Sequence, residues 1–154
     1  MGPEELKRRT KSFALRVIRV FKSLPRNDES RTLGKQLLRS GTSVAANYRA
    51  VCRSRPKAEF IARLGIVVEE IDETVLWLEL LIESEILSAT RLSDLLKEAN
   101  ELLAIFSTSQ LTAKAFPPGA LGKLCFKFVN SKIRRFANLE SVVIIHTHAY
   151  FRTG

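Results

Sequence analysis

The chain has 154 residues, 45% of them hydrophobic, which is enough for one domain with a buried core, and its net charge of +9 favours polyanionic partners. No apolar run approaches the ~20 residues of a bilayer-spanning helix, and Arg16 and Arg19 interrupt the stretch after the basic N-terminus, so we expect a cytoplasmic protein. Cys52 and Cys125 belong to no CxxC motif, which argues against a disulfide framework or a zinc site.

The first two predicted helices lie on either side of Pro25. Apolar residues recur every three or four positions from Phe13 to Leu24, which predicts a first helix from about residue 4 to residue 24. Pro25 followed by Asn27 ends that helix. A second helix is predicted from residue 30 to residue 52. Within it, Gly34 and Gly41 lie one heptad apart at the edge of the core side, where the missing side chains allow another helix to approach closely.

Two further helices complete the regular part of the chain. Pro56, which a helix accepts in its first turn, begins the third, and apolar residues then repeat from Phe60 to Ile82 over about six turns. Residues 84–90 form a short connection, and a fourth amphipathic helix follows from Leu92 and ends before residue 116. Short links between four helices predict an all-α fold, an antiparallel up-and-down four-helix bundle over residues 4–116.

Residues 117–154 are predicted to be an irregular, basic C-terminal extension. Residues 141–151 are β-branched enough for a strand, but no second strand is available to pair with it. The sequence leaves three interpretations open, namely a disordered extension, a loosely docked one, and non-native sequence appended past the end of the domain.

The sign of the charge alternates along the chain. Residues 1–63 contain 16 Lys and Arg against 5 Asp and Glu, residues 64–116 contain 3 against 10, and residues 117–154 contain 6 against 1. Basic helices packed beside acidic ones would neutralise part of this charge, although each exposed pair contributes less than ~1 kcal/mol.

The second helix has two faces of opposite character. On a helical wheel at about 100° per residue, four cations lie within roughly 40° of one direction, namely Lys35, Arg39, Arg49 and Arg53. The apolar residues of the helix lie on the opposite side. We interpret these cations, with the basic residues that follow, as a phosphate-binding stripe that does not read sequence, because few exposed aromatic residues accompany it. In the alternative, Arg39, Asn47 and Arg53 bridge to glutamates of the third helix. The predicted nucleic-acid-binding residues are Lys35, Arg39, Arg49, Arg53, Arg55 and Lys57, with Arg31 as a further candidate.

The third helix has more apolar surface than one bundle face requires. Ile66, Leu76, Trp77 and Leu80 lie away from its main apolar stripe. Burying them calls for a second molecule or for a broader core around the central helix. We favour the second molecule, and these four residues are the predicted oligomer interface.

No constellation of residues suited to catalysis is recognisable. His146 and His148 would project from one side of a strand, but a metal site needs further ligands and only Glu140 lies near. The carboxylates at residues 69–73 lack the Glu-x-x-His pairs of a di-metal bundle. The sequence has no glycine-rich phosphate loop, dinucleotide fingerprint or nucleophile with a candidate base. We therefore expect no enzyme, no catalytic residue, no metal and no cofactor.

Several stretches of the chain resemble one protein family. Residues 39–50, 58–66, 69–81 and 95–103 closely resemble the bacterial four-helix-bundle proteins, also called 23S rRNA intervening-sequence proteins. The resemblance implies an antiparallel bundle that assembles into a homopentamer. A related branch serves as the accessory protein of diversity-generating retroelements, where a basic barrel is thought to engage nucleic acid and the reverse transcriptase.

The resemblance and the charge pattern lead to one functional expectation and one alternative. We expect a non-enzymatic, oligomeric protein that binds structured RNA or DNA through a basic helix face, and five copies would add avidity. The alternative is a homo-oligomeric scaffold or adaptor for a protein partner such as a reverse transcriptase. Ala45 and Ala50 replace the Gly and Glu of many family members, and residues 117–154 have no counterpart in the family.

Overall fold

The structure is a computed structural model that describes residues 2–115. Four helices make up this part of the chain. α1 spans Pro3–Lys22, α2 Asp28–Val51, α3 Lys57–Glu83 and α4 Ala89–Ala115. α1 packs on α2, α2 on α3 and α3 on α4, and a smaller contact between α1 and α4 closes the bundle. The predicted all-α four-helix bundle is therefore confirmed. The predicted extension, with its candidate strand and its two histidines, lies outside the described residues.

Residues at the N-terminal ends explain where α1, α2 and α3 begin. Asn27 caps α2, because its side-chain oxygen accepts a hydrogen bond from the backbone N–H of Ser30 at 2.8 Å. α2 consequently begins at Asp28, two residues before the predicted start. Pro3 occupies the first turn of α1, and Pro56 stands just outside α3 as its N-cap.

The core is a continuous layer of aliphatic and aromatic side chains contributed by all four helices. Removing these side chains from water is the main term that stabilises the bundle. Tyr48 of α2 and Phe106 of α4 add an aromatic contact with ring centroids 5.0 Å apart. The largest fully buried residues are Phe13, Val17, Leu37, Val44, Leu64, Val67, Ile71, Leu78, Leu81, Leu92, Leu102 and Phe106.

The two glycines of α2 face α1 at close range, as their spacing predicts. A Cβ atom at Gly41 would lie 2.8 Å from both terminal methyls of Val17, and a Cβ atom at Gly34 would collide with Leu24. Val17 belongs to α1 and Leu24 to the connection that follows it, so the glycines allow α1 and this connection to lie close against α2.

Polar contacts fix the remaining seams of the bundle. Between α2 and α3, the buried hydroxyls of Ser40 and Thr74 lie 3.0 Å apart. Between α1 and α4, the Arg9 guanidinium contacts Glu98 at 2.7 Å and Glu101 at 2.5 Å. These contacts raise the pKa of Arg9 and keep it charged. Each contact links two helices at one register, which identifies the sides that face each other.

Candidate nucleic-acid interface

α1 supplies an excess of cations to one side of the bundle. The helix contains seven Lys and Arg against two Glu. Its buried residues Phe13 and Val17 turn one side inward, and Val17 lies against α2. On the helical wheel, Lys11 and Lys22 are consequently exposed on the outer side of α1 that is nearer to α2.

The predicted cations of α2 lie on the outside of the same pair of helices. Lys35, Arg49 and Arg53 are exposed, opposite the fully buried Leu37 and Val44. None of these three cations forms an ion pair with another residue of 2–115. We call this surface the α1–α2 basic face, and it comprises Lys11, Lys22, Arg31, Lys35, Arg49 and Arg53.

The register of the two helices brings the cations of both into one surface. Gly41 faces Val17, and Gly34 faces Phe21 and Leu24, so α1 and α2 run antiparallel. With that register, Lys22 lies at the level of Lys35 on the outside of the pair. Lys11 lies near the level of Arg49 in the same way. Packed helices have axes ~8–10 Å apart, so the cations form a strip two helices wide.

Acidic residues on α1 and α2 lie only near the beginnings of these helices. Glu4 and Glu5 occupy the first turn of α1, and Asp28 and Glu29 occupy the first turn of α2. There they interact favourably with the helix dipole, and Glu4 also pairs with Lys7 at 2.6 Å. The middle of the α1–α2 basic face therefore has no carboxylate of its own helices beside it, and its positive potential is not neutralised locally.

Arg39 has a different environment, although it belongs to the same helix. Its guanidinium forms an ion pair with Glu73, and its Nη1 lies 3.6 Å from Oε2 of Glu70. Its Nε also donates a hydrogen bond to Gln36 at 3.3 Å. Burial raises the pKa of Glu70, and the charge of Arg39 counteracts that rise. For Arg39, the structure therefore supports the alternative of bridging to the third helix.

The remaining candidate residues also differ in whether their side chains are available to a ligand. Asn47 donates its side-chain hydrogen bond to the carbonyl of Ser43 at 3.0 Å rather than to a glutamate. Arg55 is exposed in the loop between α2 and α3. Lys57 is the first residue of α3 and is half-buried, so it lies at the edge of the stripe rather than on the α1–α2 basic face.

Lys11 and Lys22 are two members of this face that the sequence analysis missed. The signal was available, since both lie opposite the apolar stripe of α1. The periodicity of one helix does not show which neighbouring helix lies beside its exposed side. The contacts of Gly34 and Gly41 with α1 supply this information.

The four residues of the predicted oligomer interface divide into two pairs. Ile66 is 43% exposed and Leu76 is 47% exposed, so the described chain does not bury them. Trp77 and Leu80 are half-buried, and Leu80 lines a groove with Leu33 near the beginning of α2. The indole Nε1 of Trp77 is buried without a hydrogen-bond acceptor in residues 2–115. α3 thus retains apolar surface beyond the core.

Two titratable groups of the described residues are held neutral by burial. Burial raises the pKa values of Tyr48 and Cys52, which holds both groups in their neutral forms. Within residues 2–115, no three His, Cys, Asp or Glu side chains come together as a possible metal site. None of the helices in that range is both long and apolar enough to cross a membrane.

Comparison with known proteins identifies the family. The family model of the 23S rRNA-intervening sequence protein matches residues 5–108, which include most of all four helices. The chain belongs to this family. A similar solved structure is a protein of unknown function from the S23 ribosomal protein family of Bacteroides thetaiotaomicron. It is 31% identical over 71% of this chain and 98% of its own, with a TM-score of 0.66. A search of curated proteins finds no match.

Proposed function

We propose that this family member is a non-enzymatic protein that binds structured RNA or duplex DNA through the α1–α2 basic face. The observation that carries this proposal is the set of six exposed cations on that face, none of which is paired with a carboxylate of residues 2–115. A polyanion that contacts them would release counterions from its phosphates, which is the dominant driving force of such binding.

The dimensions of the face suit a nucleic-acid backbone. Arg31 and Arg53 are 22 residues apart along α2 and its C-terminal end, which corresponds to ~33 Å at 1.5 Å per residue. A duplex rises ~3.4 Å per base pair, so the face spans about ten base pairs. The family description refers to an intervening sequence of 23S rRNA, which makes a structured RNA the first ligand to test.

The mode of binding that we propose is recognition of charge and shape. No Phe, Tyr or Trp side chain in residues 2–115 is exposed, so the described surface has no aromatic platform on which a base could stack. Lys and Arg contacts to phosphates position a ligand but do not read its sequence. We therefore expect similar affinities for RNA or DNA duplexes of different sequence.

We also propose that the protein is a homo-oligomer, with a pentamer as the expected copy number. Support comes from Ile66 and Leu76, which the described chain leaves exposed on α3. Several copies of the basic face would bind one nucleic acid with avidity. Light scattering measures the copy number directly, and Ile66→Glu is expected to lower it, because a carboxylate in an apolar contact stays unpaired. A monomer in the parent protein would contradict this part of the proposal.

A scaffold for a protein partner, such as a reverse transcriptase, is the second candidate function. The observation that favours it is the same apolar surface on α3, which suits a protein contact. The two functions differ in their response to salt. Phosphate binding weakens steeply as the salt concentration rises, whereas an apolar protein contact does not.

Charge reversal on the basic face is the test of the proposed function. In Lys35→Glu/Arg49→Glu/Arg53→Glu, affinity for an RNA hairpin and for duplex DNA is expected to fall about 100-fold or more, measured by fluorescence anisotropy. The control is Arg91→Glu/Lys97→Glu/Lys114→Glu, which changes three exposed cations of α4 and lowers the net charge of +9 by the same amount. Equal losses in both variants would contradict a defined face, and circular dichroism would verify that both remain helical.

A further inference from the structure

The outer groove between α3 and α4 carries acidic charge that no described residue neutralises. Asp72, Glu79 and Glu83 are exposed, and none of them forms an ion pair within residues 2–115. They lie on the side of α3 opposite to Glu70 and Glu73, which face Arg39 of α2. Partial burial, followed by the charges of Glu83 and Asp72, raises the pKa of Glu79. These three carboxylates therefore repel one another without a described counterion.

An exposed leucine follows Gln110 on α4, close to the end of the described chain. Leu111 is 66% exposed, the largest exposure among the large hydrophobic residues described, and it stands four positions before Ala115. A Cβ atom at Gly65 would lie 2.8 Å from the side-chain nitrogen of Gln110, which shows where α4 meets α3. The last turn of α4 thus lies beside the first half of α3, and the acidic residues follow farther along α3.

The continuation of the chain has the complementary composition. Residues 116–154 contain six Lys and Arg against one Glu, together with five Phe. They begin where Leu111 is exposed, at the end of the groove that lies nearest to Gly65. Three of the lysines, Lys123, Lys127 and Lys132, occur within 17 residues of Ala115.

The distances allow the segment to reach every acidic residue of the groove. Ala115 lies five residues past Gln110, so its level on α3 is ~7.5 Å before Gly65. From that level, Asp72 is ~18 Å away along the axis of α3 and Glu83 is ~35 Å away, at 1.5 Å per residue. An extended chain gains ~3.3 Å per residue, so the eight residues from Ala115 to Lys123 span up to ~26 Å and the 17 residues to Lys132 span more than 50 Å. Reach therefore does not limit the contact.

We propose that residues 116–154 dock on the outer α3–α4 groove of their own chain, with their lysines paired to Asp72, Glu79 and Glu83 and an apolar side chain covering Leu111. The occupant follows from its charge, its length and the place where it begins. The family match ends at residue 108, and the similar structure aligns over 98% of its own length while covering 71% of this chain, so the contact is an addition to the shared bundle.

This docking site is independent of the proposed nucleic-acid face. In a bundle whose helices pack in the order α1, α2, α3, α4, the α3–α4 groove lies on the opposite side from the α1–α2 basic face. A docked segment would neutralise the acidic side of the molecule and leave the basic face open. The two proposals consequently fail separately.

Zero-length carbodiimide cross-linking of the full-length protein tests the docking, because it joins a lysine only to a carboxylate in direct contact. We expect cross-links from Lys123, Lys127 or Lys132 to residues 72–83. Asp72→Asn/Glu79→Gln/Glu83→Gln removes the acceptors and is expected to abolish these cross-links. The control Glu4→Gln/Glu29→Gln/Asp94→Asn removes three exposed carboxylates outside the groove and is expected to leave the cross-links unchanged.

A charge swap distinguishes loss of the lysine–carboxylate ion pairs from loss of the carboxyl groups that react with the carbodiimide. Asp72→Lys/Glu79→Lys/Glu83→Lys is expected to lower the cross-link yield about tenfold or more, because the acceptor carboxylates are removed and repulsion replaces three exposed ion pairs. Adding Lys123→Glu/Lys127→Glu/Lys132→Glu is expected to restore cross-links between the same positions. Circular dichroism of each variant checks that the bundle remains folded.

Three results would overturn the proposal. One is the absence of cross-links between residues 116–154 and the groove in the parent protein. Another is a charge swap in which the added Lys→Glu substitutions restore no cross-links. The third is a mixture of ¹⁴N- and ¹⁵N-labelled protein in which the cross-links join two different chains, since the segment would then dock on a second copy.

Discussion

The α1–α2 basic face and the α2–α3 seam use cations of the same helix in opposite ways. Arg49 turns toward the side of α1, which contains seven Lys and Arg, and it has no carboxylate partner in residues 2–115. Arg39 turns toward α3, which contains seven Asp and Glu, and it is paired with Glu73. The neighbouring helix therefore determines whether a cation on α2 is available to a ligand.

The largest effect on stability is expected where α1 and α2 meet, because that contact holds the basic face together. In Gly41→Ala, the new methyl group would press on the buried, β-branched Val17, and the strain is expected to exceed the gain in helix propensity of ~1 kcal/mol. We expect the free energy of unfolding to fall by about 1–2 kcal/mol in urea titrations.

Gly65→Ala is the matched control for this substitution. The only atom near its new Cβ is the end of the flexible Gln110 side chain, which can rotate away. Since the helix propensity of alanine then dominates, the variant is expected to gain up to ~1 kcal/mol. Similar losses in both variants would contradict the close approach of α1 to Gly41.

A smaller effect is expected at the α2–α3 seam, and it depends on pH. Arg39 lowers the pKa of Glu70 from the value that burial alone would give, so Arg39 stabilises the fold while the carboxylates are ionised. Arg39→Met is therefore expected to cost about 0.5–1 kcal/mol at pH 7, since the pair is partly exposed to solvent.

The pH dependence of that cost gives the sign of the interaction. The pKa of Glu70 remains above the ordinary carboxyl value of 4.5, so its charge is lost as the pH falls through that raised pKa. The difference between the parent protein and Arg39→Met should consequently vanish below about pH 4. A difference that persists there would show that Arg39 acts through packing instead of charge.

Much of the fold follows from the sequence, whereas the partners of individual charges do not. The 3.6-residue period of Phe13, Val17, Leu64 and Ile71 is sufficient to place the helices and their inner sides. α2 begins two residues before the position that the apolar period predicts, because the side chain of Asn27 caps the helix there.

The candidate site depends on more than local periodicity. The α2 cations can be predicted, but their environment depends on how α1 and α3 are turned and on the register along each seam. Arg39 and Glu73 are 34 positions apart, and they pair because α2 and α3 bring them to the same level. A helical wheel of one helix gives no information about this register. Whether Lys11 and Lys22 belong to the α1–α2 basic face depends in the same way on the contacts between α1 and the glycines of α2.

The most direct test of the central claim is the salt dependence of duplex DNA binding by Arg49→Gln and Arg39→Gln. Each phosphate contact adds about 0.9 to the slope of log K against log salt concentration. If the α1–α2 basic face binds phosphates, Arg49→Gln lowers that slope by about 0.9, while Arg39→Gln leaves it unchanged because its charge is already paired within the bundle. An unchanged slope in Arg49→Gln, or an equal decrease in both variants, would contradict the account.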